Sequence, residues 1–113
     1  MISEIITYGR YYDDFIATLS NEVIRKIHYI FDLLTTEDKV NKKFVKHIRE
    51  GVYEMRIIVE SNIYRIFFIF DEGKIVVLFN GFQKKTQKTP EKEIQKTIRI
   101  KHEYYEYKQN QKH

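Results

Sequence analysis

The chain has 113 residues, the length of one domain, and 42% of them are hydrophobic, enough to bury a core rather than stay disordered. It has no cysteine, which excludes disulfides, thiolate chemistry and cysteine-bound zinc; its four histidines (His28, His47, His102, His113) match no metal-ligand spacing, so no metal or other cofactor is implied. The net charge of +4 favours phosphate-rich or acidic partners, the more so because seven Lys or Arg between Lys84 and Lys101 face only Glu91 and Glu93.

At the N-terminus, Glu4 and Arg10 flank only a short apolar stretch, which has the length of a first strand over residues 2–7 and not of a signal peptide. Tyr12, Phe15, Ile16 and Leu19 follow at helical spacing. Ser20 is a good N-cap for a second helix, whose apolar stripe is Val23, Ile27, Ile30, Phe31 and Leu34, and residues 35–39 end that helix hairpin. From Val52 the period changes to alternation, which predicts strands over 52–60, 63–70 and 75–82, joined by turns at Ser61-Asn62 and at residues 71–74. The longest apolar run, 63–70, is interrupted by Arg65 and too short to span a bilayer, so a cytoplasmic protein without membrane contact is expected. Thr89 is placed to cap a last helix that starts at Pro90 and runs to about Tyr107, leaving residues 108–113 as a frayed polar tail. The order is strand, helix hairpin, three-stranded antiparallel meander and helix, an α+β domain spanning residues 1–113.

Strand parity assigns side chains to faces. One face, with Tyr53, Met55, Ile57, Tyr64, Ile66, Phe68, Ile75, Val77 and Phe79 among its members, is almost wholly apolar and must meet helices. The other carries Glu54, Arg56, Ile58, Arg65, Phe67, Ile69, Val76, Leu78, Asn80 and Phe82. With a two-residue loop at Ser61-Asn62, Arg56 and Arg65 are diagonal neighbours; with a four-residue loop at 71–74, Arg65 pairs with Asn80. A strand arginine is more often solvated, or paired with a carboxylate such as Glu54 or Glu60. Two of them together, with Lys84, Lys85 and an aromatic at Phe82, favour an anion between them.

The segment from Gly51 to Pro90 (GVYEMRIIVESNIYRIFFIFDEGKIVVLFNGFQKKTQKTP) resembles the RelE/HigB superfamily of bacterial toxins, most closely its phage-derived HigB-type branch. The likeness is carried by the Tyr53–Arg56 strand, the Tyr64-Arg65 strand and, most distinctively, the run from Gly81 to Pro90. The resemblance implies a compact sheet with helices on one side and the toxin of a type II toxin–antitoxin system. It also implies a ribosome-dependent endoribonuclease that cleaves messenger RNA in the A site, by attack of a 2′-OH on the adjacent phosphate. Arg56, Arg65, Lys84 and Lys85 would then stabilise the transition state, while Asn80, Phe82, Thr86, Gln87 and Lys88 would hold RNA. The implied partners are the ribosome, its message and a cognate antitoxin, commonly a helix-turn-helix protein. Relatives of ParE type, which share the fold but inhibit DNA gyrase without catalysis, supply one alternative, and an inactive antitoxin-binding relic another. No residue stands out as general base: His47 is a lone histidine, and Tyr104, Tyr105 and Tyr107 match no family position. On the last helix, Ile94, Ile98 and Tyr105 form one stripe and Ile100, Tyr104 and Tyr107 another; one is expected to dock on the core and the other to meet an antitoxin.

Overall fold

The computed structural model describes residues 2–37, 42–84 and 89–111, with only the backbone described at Lys84. Strand β1 (Glu4–Thr7) leads into helices α1 (Tyr11–Ile16) and α2 (Asn21–Thr36), then strands β2 (Val45–Arg49), β3 (Val52–Val59), β4 (Asn62–Asp71) and β5 (Ile75–Lys84), and helix α3 (Glu91–Gln111). The α+β class and the helix–meander–helix order agree with the sequence reading. One strand does not: β2 adds an edge, so the meander has four strands. β1 pairs in parallel with β5, giving one sheet of order β1-β5-β4-β3-β2. The signal for β2 is faint, five residues of which only Val45 is deeply buried. Its hairpin to β3 turns on Glu50-Gly51, both at positive φ, a geometry that suits a two-residue loop.

Both faces of the sheet are covered, not one. Val23, Ile27, Ile30 and Leu34 of α2, the stripe expected from sequence, pack with Met55, Ile57, Ile66, Phe68, Val76 and Leu78. On the opposite face, Ile94, Ile98, Ile100 and Tyr104 of α3 pack with Val52, Phe67, Ile69, Val77 and Phe79. Each fully buried side chain of this size contributes roughly 1.5–3 kcal/mol. Ser20 caps α2 as expected, accepting a hydrogen bond from the Val23 N–H at 3.4 Å.

Two turns shift the predicted registers. The β3–β4 loop is Glu60-Ser61, with Glu60 at φ 56°, so Val59 pairs with Asn62. A two-residue slip keeps every side chain on its face, yet it sets Arg56 directly opposite Arg65 rather than on the diagonal. The β4–β5 loop has three residues, Asp71 pairing with Ile75, and this odd shift turns Val76 and Leu78 to the α2 face and Val77 to the α3 face. Between Ile66 and Phe68 the pairing slips once more, Phe79 and Asn80 sharing Phe67, a bulge that re-aims the end of β5. Arg65 therefore pairs with Phe82 and not with Asn80. Beyond the bulge sits Gly81, where a Cβ would lie 2.4 Å from the Phe15 ring and 2.9 Å from the Arg65 carbonyl, so only glycine lets α1 close on the sheet.

Helix α3 continues to Gln111, past the point where a tail was expected. The reason is an anchor at its last turns: Tyr104 Oη and Lys108 Nζ both donate to Asp71 Oδ2, at 2.6 Å each. The docking stripe takes residues from both predicted stripes, Ile94 and Ile98 with Ile100 and Tyr104, while Tyr105 and Tyr107 stay exposed. Burial pushes the Asp71 carboxyl up, but the hydrogen bonds from Lys108 and Tyr104 outweigh it and hold it below the usual range. The Tyr104 hydroxyl is pushed far up by burial and by Asp71. A depressed carboxylate stabilises the fold fully above the unfolded Asp value, about 3.9, and loses that contribution as pH falls through the folded value. Asp71→Asn should therefore be less stable than the parent at pH 7 by about 1.5–3 kcal/mol, the worth of hydrogen bonds to a charged group. In urea titrations across pH, that gap should begin to narrow below about pH 4, where the unfolded carboxyl protonates, and close once pH falls through the lower folded value.

Candidate nucleic-acid interface

The alternating pattern of β3 and β4 puts Glu54, Arg56 and Arg65 on one face, at the part of it that flanks Phe67 and Phe82. Directly opposed strand residues lie about 4.5–5.5 Å apart at Cα, so the Arg56 and Arg65 stems run side by side. Their surroundings differ. Arg56 is exposed, whereas Arg65 is 3% exposed and Glu54 2%. Arg65 Nη1 donates to Glu54 Oε2 at 3.0 Å, and the Thr89 hydroxyl donates to Glu54 Oε1 at 2.8 Å. The acidic partner that a strand arginine commonly has is thus present, and it is Glu54 rather than Glu60. Thr89 spends its hydroxyl on Glu54, and the first carbonyl to accept from α3 is that of Pro90.

One ion pair leaves a guanidinium under-satisfied. Arg65 Nε is buried and finds no hydrogen-bond acceptor among the described residues. Burial lowers the Arg65 pKa first of all, Glu54 opposes that, and neighbouring Arg56 lowers it further. A buried cation with an idle donor and a like charge beside it is a site to which an anion is strongly drawn.

The sheet edge extends the positive field. The Arg56 N–H donates to the Phe44 carbonyl at 2.7 Å, tying the approach to β2 against β3. A cleft of about 480 Å³ opens there, its lining among the described residues being Lys42, Lys43, Lys46, Arg56 and Arg65, one carboxylate, Glu54, and Phe44, Val45, His47 and Tyr53. His47, a lone histidine in the sequence, stands at this cleft with its ring 5.0 Å from that of Tyr53. The three lysines carry no signal in the sequence beyond their proximity to a strand too short to be recognised.

The other predicted residues divide. Phe82 is half-buried on the same face, stacked on Phe67 with centroids 5.6 Å apart. Asn80 is not on the open surface: it is 3% exposed, accepts from the Thr97 hydroxyl at 2.8 Å and donates to Glu93 at 3.4 Å, fastening α3 to the bulge. Lys84 ends β5 with its Cα opposite Ile63. Lys85, Thr86, Gln87 and Lys88 lie outside the described residues.

Sheet order, flanking helices and the arginine pair define the class as a small α+β protein of RelE-like architecture with a basic cleft at one sheet edge. The family model for the phage-derived protein Gp49-like (DUF891) matches residues 14–102, which is 89 of 113. The chain belongs to this family, which is one of RelE/HigB-like toxins. No curated protein matches it. Among the described residues, no helix is long and apolar enough to cross a membrane.

Removing Glu54 while Arg65 stays would strand a buried charge. Glu54→Ala should lose about 3–5 kcal/mol in chemical denaturation, whereas the double change Glu54→Met with Arg65→Met should come within about 1.5 kcal/mol of the parent.

Proposed function

We propose that this protein is the toxin of a type II toxin–antitoxin system and acts as a ribosome-dependent endoribonuclease on translated messenger RNA. The observation that carries this reading is Arg65, buried and fixed by Glu54 yet with Nε unpaired, beside the exposed Arg56 in a basic cleft. A phosphodiester offers oxygen acceptors to the unpaired Arg65 Nε–H and to the exposed Arg56 guanidinium. In the reaction the 2′-OH attacks the adjacent phosphorus, its proton leaves, the 5′-oxygen departs and takes up a proton, and a 2′,3′-cyclic phosphate remains. Charge builds on the non-bridging oxygens, where Arg56 and Arg65 stabilise it, joined by Lys84 and Lys85 from the adjoining segment. Phe82, Thr86, Gln87 and Lys88 are assigned to holding the RNA, with Asn80 acting from beneath through α3. Among the described groups at the cleft, His47 carries an imidazole, a side chain able both to accept and to donate a proton, and is the candidate for proton transfer. The ribosome supplies the in-line geometry, a large share of the rate for a site with so few acid–base groups. A cytoplasmic location and a helix-turn-helix antitoxin accompany this reading.

A second reading has one observation in its favour. Because Glu54 already neutralises Arg65, the face would also suit a non-catalytic toxin of ParE type acting on DNA gyrase, or a silent relic that retains only antitoxin binding.

Induction of the chain in growing bacteria with mapping of message 5′ ends separates these. Growth arrest with new ends inside translated codons is expected, and Arg56→Ala should reduce cleavage by about 10²–10³-fold, the usual worth of one transition-state donor. Arg65→Lys keeps the charge against Glu54 but loses the fork; it is preferable to a truncation, which would strand Glu54, and should impair cleavage similarly. Arrest with intact messages and a DNA-damage response would establish the gyrase reading; no arrest at all would establish the relic.

A further inference from the structure

The cleft does not stop at the arginine pair. Lys42 and Lys43 precede β2, Lys46 lies on it, and aromatic rings alternate with these cations. Lys43 Nζ is 5.5 Å from the Phe44 ring centre. From α2, Lys26 Nζ reaches over both Tyr29 and Phe44, at 5.3 and 5.8 Å. The Tyr29 and Phe44 rings meet edge to face at 6.5 Å, and Tyr29 is 51% exposed. Among the described residues, five cationic side chains line the cleft with one carboxylate, Glu54, which is engaged with Arg65.

Cations set among an exposed ring, Tyr29, and a half-buried one, Phe44, are what a single strand of nucleic acid requires: point charges for successive phosphates and flat faces for unstacked bases. A duplex has its bases stacked and would leave Tyr29 and Phe44 unused. An acidic protein would engage the lysines and give the rings nothing specific. We infer that Lys42, Lys43, Lys46 and Lys26, with Tyr29 and Phe44, form a track for single-stranded RNA that continues from the Arg56–Arg65 cleft across the β2 edge onto α2. The strand held there is the stretch of message flanking the phosphate bound at the arginines, so the inference rests on the function proposed above and assigns that site its extended substrate contacts. The track binds; it takes no part in bond cleavage.

The test is fluorescence anisotropy with the full chain and no ribosome, using a labelled single-stranded RNA of roughly 12 nucleotides and a hairpin duplex of the same composition, over a range of salt. The single strand should bind more tightly than the duplex. The combined variant Lys42→Ala/Lys43→Ala/Lys46→Ala should lower the slope of log affinity against log salt by about 0.7 for each phosphate that is no longer neutralised. Tyr29→Ala, at an exposed position that folding does not need, should weaken binding about tenfold while leaving that slope in place, as expected when one stacked base is released. Lys92→Ala/Lys96→Ala on α3, outside the track, should change little. An unchanged slope in the triple variant, preference for the duplex, or equal competition by a poly-glutamate peptide would each overturn the track. Binding is read without cleavage, so the two proposals fail separately. Intact messages in cells with these results would sink the nuclease alone, and message cleavage with wild-type affinity in the triple variant would sink the track alone.

Discussion

A carboxylate and a guanidinium, both almost excluded from water, face each other 3.0 Å apart across β3 and β4, and the candidate site is built around that contact. Such a pair adds little net stability, because desolvating two charges consumes most of what their attraction returns. What it fixes is direction. Glu54 is itself held by Thr89 at the threshold of α3, so the helix that dries the face also steadies the carboxylate that aims Arg65. Arg56, opposite and exposed, adds a second cation, with no second carboxylate among the described residues of the cleft. Positive charge in excess beside a buried idle N–H is an arrangement that a bound anion completes.

The rest of the fold serves to hold this face half closed. Helix α3 covers the sheet from Val52 to Phe79 and is fastened at both ends. Arg49 grips Glu91 through two hydrogen bonds near its start, and Asp71 receives Tyr104 and Lys108 near its finish. Asn80, at the bulge, joins the sheet to the middle of the helix through Thr97. The opposite face is sealed by α2, and Gly81 lets Phe15 approach where any side chain would obstruct it. The glycine of the Gly81–Pro90 run is therefore a packing requirement.

Much of this architecture was legible in the sequence, because hydrophobic spacing and caps are local signals: the α2 stripe, the Ser20 cap, four of the five strands and the shared face of Arg56 and Arg65 all follow from it. What was not legible depends on single-residue events. Glu60, Glu50 and Glu72 occupy left-handed backbone that glutamate seldom adopts, so the turns closed one residue away from where Ser-Asn and Asp-Glu-Gly-Lys pointed. The bulge at Phe79-Asn80 reverses parity within one strand, a change no alternation rule anticipates. Val45–Arg49 is too short and too polar to announce itself, which hid the lysines and His47 of the cleft. Covering of both faces was hidden too, since Glu54 pairs with Arg65 Nη1 and Asn80 with Thr97, and these polar pairs tolerate burial between the sheet and α3 with Arg65 Nε left over.

The most direct measurement of the central claim is the Arg65 Nε–H resonance in a proton–nitrogen correlation spectrum, followed as a non-cleavable 2′-deoxy dinucleotide is added. If the idle donor awaits a phosphate, the resonance moves and saturates with ligand, and the response weakens in Arg56→Ala and disappears in Arg65→Lys, both folded. A resonance that stays fixed while backbone signals elsewhere report binding would contradict the account, for Arg65 would then be only half of a structural ion pair.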